Sequence, residues 1–250
     1  MTAELKTVTV VKGGQAILRD ASLSCRSGVV TALCGPNGAG KTTALSVLTG
    51  ALIPTTGNAF LEGQEVRLIN ELSLARRRAV VSQSSLLSFP FQVHEVVAMG
   101  RAPHYGRSSQ TRDSEVVYEA IASMDLLHLA ERNYLTLSGG ERQRANVARA
   151  LAQIWDEPEE GSARWLFLDE PTAALDLKYQ IALMKRLRNL AEAGWGIVVV
   201  LHDLQLVKDY AAEAVLFKSG IIVGQGEAAE MLSPDRIKDV FDLSEPYELA

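Results

Sequence analysis

Residues 29–42 read Val-Val-Thr-Ala-Leu-Cys-Gly-Pro-Asn-Gly-Ala-Gly-Lys-Thr, which is an apolar strand, a glycine-rich turn and the start of a helical pattern. Residues 35–42 fit the pattern G-x-x-x-x-G-K-[ST] in full, and they stand between a strand and a helix, as this motif requires. The glycines let the backbone curl so that successive N–H groups face phosphate oxygens, and the helix start adds its positive dipole end. The stretch therefore predicts a phosphate-binding loop for a nucleoside triphosphate.

The residues of this loop have different expected roles. Lys41 should reach the β and γ phosphates, and Thr42 should offer its hydroxyl to Mg²⁺, which binds few protein ligands beside phosphate oxygens. The alternative is a glycine-rich turn with an incidental lysine, and the flanking strand and helix argue against it. The predicted nucleotide-binding residues are Gly35, Pro36, Asn37, Gly38, Ala39, Gly40, Lys41, Thr42 and Thr43.

An acidic pair, Asp169 and Glu170, follows the apolar run Leu-Phe-Leu at 166–168. Such a run is typical of a central strand in a parallel sheet, and ligand sites in these sheets lie at the carboxyl ends of the strands. Because side chains alternate along a strand, the two carboxylates should point in different directions. We expect Asp169 to hold Mg²⁺ through water and Glu170 to orient or deprotonate an attacking water. A solvated acidic turn is the alternative.

A second glycine-rich helix start reads Leu-Ser-Gly-Gly-Glu at residues 137–141. Ser138 is a good N-cap and Glu141 completes a capping box, so a capped helix without a ligand is a real alternative. The paired glycines, however, expose backbone N–H groups at the positive end of the helix, which makes an anion site. The helix that follows the phosphate loop already provides the helix start for the nucleotide of the same chain. We therefore expect Ser138, Gly139 and Gly140 to serve a nucleotide held by another copy of the chain.

Composition limits the class of protein. The 250 residues suffice for one large domain with a smaller subdomain, and 47% apolar with 22% charged residues is ordinary for a soluble globular protein. The longest apolar run has five residues (197–201), whereas a membrane span needs about 20. The first residues lack the apolar core of a signal peptide. With a net charge of −5 and no basic block, nucleic acid is not expected as a partner.

Strands and helices alternate along the last third of the sequence. The patterns predict helices at 177–193 and 204–211 and strands at 197–201, 214–218 and 221–225. Strand–helix alternation favours an α/β fold with a mostly parallel sheet covered by helices. Earlier in the chain, residues 5–33 predict strands with tight connections, and helical patterns dominate from 91 to 154, which indicates an inserted helical subdomain. The two cysteines, Cys25 and Cys34, have no metal-binding spacing and are expected to lie reduced in strands.

The order of the motifs resembles that of the ATP-binding cassette (ABC) family, and the resemblance covers nearly the whole chain. After the phosphate loop come Gln83 in a Val-Val-Ser-Gln segment, the 137–141 motif, the acidic pair, Ala-Ala-Leu-Asp ending at Asp176, and His202. The resemblance implies a P-loop NTPase core of the RecA type, an antiparallel β subdomain and an inserted helical subdomain. The implied boundaries are 1–84 and 160–250 for the core with the β subdomain, and 85–159 for the helical subdomain.

The resemblance also implies how the residues work. Two subunits would hold two ATP molecules head to tail, each phosphate loop facing Ser138 and Gly140 of the other copy. Gln83 would contact Mg²⁺ and sense the γ phosphate, Asp176 would couple the two sites, and His202 would contact the γ phosphate. A histidine or glutamine after a strand has little meaning alone. His202, however, follows the predicted strand 197–201, so it should lie at the same sheet edge as Glu170.

The sequence departs from the family pattern at two places. Glu141 stands where the family most often has glutamine, which should matter little because backbone N–H groups bind the phosphate. The aromatic residue that usually precedes the first hairpin glycines is absent, and Val11 and Lys12 stand there instead. Lys12 is expected to lay its aliphatic stem on the adenine ring.

In the family, the region after the glutamine receives a helix of the membrane permease. Phe89 and Phe91 flank a proline and are expected to form an exposed docking rim. The apolar residues that follow fit either the docking surface or the core, and the pattern leaves both open: Val93, Val96, Val97 and Met99.

Three features bear on the transported molecule. The stretch Val-Ala-Met-Gly-Arg-Ala-Pro-His at 97–104 resembles importers of iron chelates, haem and cobalamin. The connection at 155–164 is about eight residues longer than a usual short loop; we expect it to be a surface loop without a role of its own. Together with Leu-Asp-Leu-Lys-Tyr-Gln at 175–180, it resembles the haemin-import ATPases.

The resemblance therefore implies the ATP-hydrolysing subunit of a haem importer, with ATP and Mg²⁺ as cofactors. Its expected partners are a second ATPase subunit, two membrane permease subunits and, indirectly, a periplasmic binding protein. The expected location is the cytoplasmic face of the bacterial inner membrane. A ferric-siderophore or cobalamin import ATPase is the alternative of the same class. A soluble cassette ATPase acting on ribosomes or DNA is disfavoured, because the chain has one cassette and no basic face.

Overall fold

The computed structural model describes residues 1–82 and 89–249. Its strands are β1 (Thr2–Lys12), β2 (Gln15–Arg26), β3 (Val30–Cys34), β4 (Thr56–Leu61), β5 (Gln64–Glu65), β6 (Arg78–Val81), β7 (Trp165–Asp169), β8 (Gly196–Val200), β9 (Glu213–Lys218) and β10 (Ile221–Glu227). Its helices are α1 (Lys41–Leu48), α2 (Glu71–Arg77), α3 (Val93–Ala98), α4 (Gln110–Ser123), α5 (Gly139–Gln153), α6 (Leu177–Glu192), α7 (Leu204–Tyr210), α8 (Ala228–Met231) and α9 (Pro234–Phe241).

The larger sheet carries the strands that end at the predicted site. Its order is β10-β9-β3-β8-β7-β6, and every neighbouring pair is parallel except β9 and β10. All residues of β3, β7 and β8 are buried, because these strands have neighbours on both sides and packed layers on both faces. The carboxyl ends of the three strands therefore meet at one edge, with β8 between the other two.

The smaller sheet is antiparallel, with the order β2-β1-β4-β5. It packs against α1 and one face of the larger sheet, since Leu18 of β2, Leu48 of α1 and Phe167 of β7 belong to one buried apolar cluster. The predicted α/β fold, with a mostly parallel sheet and a separate antiparallel sheet, is confirmed. The predicted boundaries at residues 84 and 160 stay predictions.

The helices α3, α4 and α5 lie between β6 and β7 in the chain and share a second buried cluster with α6 and the other face of the sheet. Ile121 of α4 and Leu151 of α5 are both fully buried there. In the described ranges, no helix combines the length and the apolar character that crossing a bilayer requires.

The structure also corrects several sequence expectations. The helical pattern at 91–137 is broken by a 3₁₀ segment, Met99–His104, which contains Pro103 and cannot continue α3. The short helices α2, α8 and α9 were not predicted. Their termini carried a signal: the Asn70 side chain accepts hydrogen bonds from the N–H groups of Leu72 and Ser73, and Pro234 is the first residue of α9.

Both cysteines are free and buried, Cys25 in β2 and Cys34 at the end of β3. Burial raises the pKa of each thiol to about 12. For Cys34 the charge of Lys41 opposes this effect without overcoming it. The expectation of unpaired cysteines in strands is confirmed.

Candidate functional site

The phosphate loop connects the end of β3 to the start of α1. A Cβ at Gly35 would lie only 2.2 Å from the carbonyl oxygen of Phe217 in β9, and the residue has a φ of +144°. A side chain is therefore excluded for steric and for backbone reasons. Gly40 ends the loop in a left-handed conformation with a φ of 102° and precedes the first residue of α1. The loop thus curls tightly because glycines occupy its two most constrained positions.

A small cavity of about 140 Å³ opens over the loop. Its lining residues are Ile17, Asn37, Gly38, Ala39, Gly40, Lys41, Thr42, Thr43 and Glu170. Seven predicted loop residues, from Asn37 to Thr43, thus line a common space together with Glu170, the second residue of the acidic pair. Gly35 and Pro36 do not line this space, and their carbonyl oxygens accept hydrogen bonds from Lys41 instead.

The ammonium group of Lys41 folds back over the loop. Its Nζ donates to the carbonyl oxygens of Gly35 at 2.7 Å and Pro36 at 2.9 Å. Burial lowers the pKa of Lys41, and the nearby Glu170, Cys34 and Asp169 act in the opposite direction. The loop therefore holds a desolvated cation that a phosphate group can pair with by replacing these carbonyl contacts.

The side chains of Thr42 and Asp169 meet across the sheet edge. Thr42 Oγ1 donates to Asp169 Oδ1 at 3.1 Å, and Asp169 is buried. Burial raises the pKa of Asp169; the hydrogen bond from Thr42 and the charge of Lys41 oppose this, while Glu170 adds to it. A hydroxyl and a carboxylate are ligands that fit Mg²⁺. In the described ranges, no three histidine, cysteine or acidic side chains are grouped so that they could hold a metal ion by themselves.

Glu170 points away from Asp169, toward the next strand. Its Oε1 lies 2.5 Å from Nε2 of His202, which follows β8. The backbone of Glu170 has a φ of +49°, and its N–H donates to the carbonyl of Val200 at 3.2 Å. This turn aims the carboxylate over the phosphate loop. The predicted divergence of the two acids and the predicted proximity of Glu170 and His202 are confirmed, while their catalytic roles stay predictions.

The second glycine-rich helix start is capped as expected. Ser138 Oγ accepts from the N–H of Glu141 at 3.2 Å, and Glu141 Oε2 accepts from the N–H of Ser138 at 2.7 Å. This hydrogen bond from the backbone of Ser138 is the main reason that the pKa of Glu141 is lowered. Ser138 and Gly139 are exposed, and in the described structure neither lines the cavity over the chain's own phosphate loop.

Asp176 is the N-cap of α6 and is exposed. Its Oδ1 accepts from the N–H of Tyr179 at 3.1 Å. The residues just before it pack on the glycine-rich helix start: a Cβ at Gly140 would lie 3.2 Å from the carbonyl oxygen of Ala174. The predicted residues Ser138, Gly139, Gly140 and Asp176 therefore form one exposed surface of the chain.

Comparison with known proteins identifies the family of the chain. The family model described as ABC transporter matches residues 18–173. The chain belongs to the ABC transporter family. The hemin import ATP-binding protein HmuV of Gloeobacter violaceus is 44% identical over 230 residues, which are 92% of this chain and 83% of that protein. The protein of the same name from Hahella chejuensis is 41% identical over 236 residues, 94% of this chain and 91% of its own.

Solved structures of ABC proteins have the same fold. A bacterial ABC transporter cassette with a dimeric structure is 25% identical, with a TM-score of 0.76 over 90% of this chain and 98% of that one. An inward-facing structure of a protein proposed to be a metal-chelate type ABC transporter is also 25% identical. Its TM-score is 0.79, and the match covers 96% of this chain and 89% of that one.

Two further sequence predictions for this cassette name residues expected to contact the nucleotide or its metal ion. Gln83 lies outside the described residues, so its role stays a prediction. Lys12 is exposed at the end of β1 and does not line the described cavity, whereas Ile17 does. Nothing in the sequence singled out Ile17, because a lone isoleucine in a strand is ordinary core material. The lysine contact with adenine stays a prediction.

The predicted docking rim is exposed at Phe89 but not at Phe91, which is partly buried against the core. Phe89 is 67% exposed, and its ring meets that of Phe91 edge to face with the centroids 6.3 Å apart. Val93, Val96 and Val97 of α3 are fully buried, so the core interpretation of these three is correct. Met99 is 37% exposed and remains available at the surface.

The long connection at 155–164 is tied to both neighbouring parts of the cassette. Asp156 accepts from the buried Arg101 at 2.5 Å and from Arg112 at 3.0 and 3.1 Å. At the other end, the N–H of Ala163 donates to Glu62, in the turn between β4 and β5, at 2.6 Å. Burial by itself raises the pKa of Asp156, but the hydrogen bonds and charges of the two arginines outweigh it and lower the pKa. No pattern in the sequence predicts these contacts.

Proposed function

We propose that this cassette is the ATP-hydrolysing subunit of a bacterial haem importer. The observation that supports hydrolysis is the meeting of three groups at one sheet edge: Lys41 in the phosphate loop, the Thr42–Asp169 pair, and the Glu170–His202 pair. They supply a cation for the phosphates, oxygen ligands for a metal ion, and a carboxylate beside the cavity. These are the parts that phosphoryl transfer to water requires.

Each side chain has one task in this proposal. The backbone and side chains of residues 35–43 bind the ATP phosphates, with Lys41 on the β and γ groups. Thr42, Asp169 and Gln83 would hold Mg²⁺, which would supply positive charge to offset the charge on the phosphate oxygens. Glu170 accepts a proton from a water molecule while the oxygen of that water forms a bond to the γ phosphorus. The bond between the γ phosphorus and the leaving oxygen of ADP breaks. His202 holds the Glu170 carboxylate and contacts the γ phosphate.

The site is completed by a second copy of the chain. Ser138, Gly139 and Gly140 lie on an exposed surface away from the chain's own phosphate loop, at the start of the 15-residue helix α5. The free N–H groups of a helix start bind phosphate oxygens. We therefore infer a head-to-tail homodimer in which these residues face the γ phosphate of the partner's ATP and Asp176 couples the two sites.

The exposed ring of Phe89, which rests on the partly buried Phe91, supports docking to a membrane permease. An exposed aromatic ring beside the buried helix α3 forms a surface suited to a partner helix. Two permease subunits would bind the two ATPase subunits at the cytoplasmic face of the inner membrane, with a periplasmic binding protein delivering the cargo. No nucleic acid partner is included, because the net charge of −5 gives no electrostatic attraction to phosphate backbones.

Haem as cargo rests on the relatives, whose printed names are hemin import ATP-binding proteins at about 40% identity. A ferric siderophore or cobalamin is the alternative cargo. The direct test is reconstitution of the cassette with its permease in liposomes, with haem, a ferric siderophore and cobalamin offered separately. Haem uptake that needs ATP supports the proposal. Uptake of another chelate alone, or copurification with ribosomes and no permease, contradicts it.

The hydrolysis mechanism has its own test. The change Glu170→Gln keeps the shape of the side chain but removes the base, so ATP should still bind while hydrolysis falls on the order of 100-fold or more. ATP should then accumulate a dimer, measurable by light scattering after size exclusion. The control is Glu192→Gln at the end of α6, which should behave as the original protein. Normal hydrolysis by Glu170→Gln would rule out Glu170 as the base.

A further inference from the structure

Arg144 and Tyr179 form a contact between the helix that starts at the Ser-Gly-Gly motif and the helix capped by Asp176. Arg144 lies on α5 and is buried, and its guanidinium carbon is 4.0 Å from the centroid of the Tyr179 ring on α6. This distance is well within the range of a cation–π interaction. The contact joins the helices between β6 and β7 to the helix that follows the acidic pair.

The other side of the guanidinium group is fixed as well. Arg144 Nη1 donates to the carbonyl oxygens of Met124 and Asp125, both at 2.9 Å. These carbonyls end α4, where a positive charge is favourable. Nε of Arg144 is buried without a hydrogen-bond partner among the described residues, so the Tyr179 ring is the neighbour that offsets its loss of water.

Tyr179 connects Arg144 to Asp176. The N–H of Tyr179 donates to Asp176 Oδ1 at 3.1 Å, while its ring contacts Arg144. A second contact runs in parallel, because Gly140 packs on the carbonyl of Ala174, two residues before Asp176. The glycine-rich helix start and Asp176 are thus held at a fixed separation by backbone packing at one end and by the Arg144–Tyr179 stack at the other.

We propose that Arg144 and Tyr179 are positioning residues that align Ser138, Gly140 and Asp176 for the nucleotide of the second copy. This inference rests on the proposed head-to-tail dimer. Neither side chain touches the nucleotide in this scheme. They act because a misplacement of about 1 Å in groups that surround a transition state can reduce the rate on the order of 100-fold.

The substitution Tyr179→Leu removes the ring and introduces an apolar residue with a high helix propensity. We expect kcat for ATP to fall about tenfold, with KM changed less than about twofold, because the phosphate loop of the same chain is untouched. Tyr179→Phe retains the ring and should keep kcat within about twofold of the original. Arg144→Lys keeps the charge but loses the planar group that stacks, so it should resemble Tyr179→Leu.

A comparable arginine–tyrosine pair nearer the surface serves as the control, with Arg188 exposed and Tyr210 partly buried. Arg188 of α6 stacks on Tyr210 of α7 at 4.7 Å, and this pair does not contact the glycine-rich helix start. Tyr210→Leu should lower thermal stability about as much as Tyr179→Leu while kcat stays within about twofold. If both variants lose stability equally and both keep kcat, the Arg144–Tyr179 contact is only structural and the proposal is wrong.

A measurement of dimer formation tests the positioning role separately from the proposed dimer on which it rests. In the Glu170→Gln background, ATP should drive dimerisation, and adding Tyr179→Leu should raise the dimer dissociation constant about tenfold by analytical ultracentrifugation. A Glu170→Gln protein that stays monomeric with ATP contradicts the proposed dimer itself. An ATP-driven dimer of unchanged affinity after Tyr179→Leu contradicts the positioning role alone.

Discussion

Nε2 of His202 lies 2.5 Å from Oε1 of Glu170, although the two residues are 32 positions apart in the chain. The proximity follows from the sheet: β7 and β8 are parallel neighbours, and the two residues come just after their carboxyl ends. His202 is more exposed than Glu170, with side-chain exposures of 41% and 18%. The imidazole can therefore hold the carboxylate from the solvent side while the opposite side faces the phosphate loop.

We predict that His202→Ala lowers kcat for ATP hydrolysis on the order of 100-fold, with KM changed less than about threefold. The reason is that Glu170 loses the contact that fixes its direction, while the phosphate loop, which makes most of the contacts with ATP, remains. Steady-state kinetics measure both constants. The control is His128→Ala, an exposed histidine away from the sheet edge. A rise in KM without a fall in kcat would instead assign His202 to binding.

Two glycines of the phosphate loop should differ in their tolerance of a methyl group. Gly35→Ala places a Cβ 2.2 Å from the Phe217 carbonyl oxygen at a φ of +144°, and we expect it to lower the free energy of unfolding by about 4 kcal/mol or more. Gly38 has a φ of +74° and nothing within 4 Å, so Gly38→Ala should cost about 1 kcal/mol. Urea unfolding without nucleotide measures both. Equal losses would contradict the steric explanation.

The contacts of Asp156 should make stability depend on pH. At pH 7 Asp156→Asn should lower the free energy of unfolding by about 2 kcal/mol, because Arg101 and Arg112 lose a charged acceptor. The folded protein lowers the pKa of Asp156, so this stabilisation is complete above the unfolded value of about 4 and disappears as pH falls through the lower folded value.

The difference between the original protein and Asp156→Asn should therefore shrink below about pH 4 and stay constant from pH 5 to 7. Glu160→Gln, an exposed acid of the same connection, is the control and should change stability by less than about 0.5 kcal/mol. Urea unfolding at several pH values measures the effect. A difference that grows on acidification would have the wrong sign for this explanation.

The Phe89 ring should matter for coupling and not for hydrolysis by itself. We predict that Phe89→Ser leaves the ATPase rate of the isolated cassette within about twofold, because the ring is 67% exposed and lies outside the nucleotide cavity. In liposomes with the permease, transport should fall about tenfold or more if the ring is an anchor of the interface. Tyr105→Ser, at a 94% exposed ring, is the control for loss of surface aromatic area. Equal transport by Phe89→Ser and the original protein would contradict the docking assignment.

The sequence predicted the parts of this cassette whose signal is local. The loop at 35–42 required a strand before it and a helix after it, and Ser138 with Glu141 predicted a capping box that the structure contains. Proximity between distant residues was predicted only for side chains that follow the carboxyl ends of parallel strands, such as Glu170 and His202. The pairing of β3 with β8 and β9 could not be read from the chain, because nothing local encodes strand order.

What the sequence could not predict depends on contacts between distant segments. Arg101 and Asp156 are 55 positions apart, and the packing of the 3₁₀ segment Met99–His104 against the end of α5 brings them together. The same holds for Arg144 and Tyr179. In the sequence alone, Arg144 is one polar residue in a predicted helix, and Tyr179 is an aromatic residue near the start of another. Short helices such as α8, with four residues, carry too few positions for a periodic pattern.

The buried thiols have a practical consequence for spectroscopy. Maleimides and methanethiosulfonates react with the thiolate, and a pKa of about 12 together with burial keeps Cys25 and Cys34 protonated and shielded at neutral pH. A fluorophore or spin label can therefore be attached to one cysteine introduced at an exposed position, with both native cysteines left in place. Reaction of the native pair would then report unfolding, and the label would report the opening and closing of the proposed dimer.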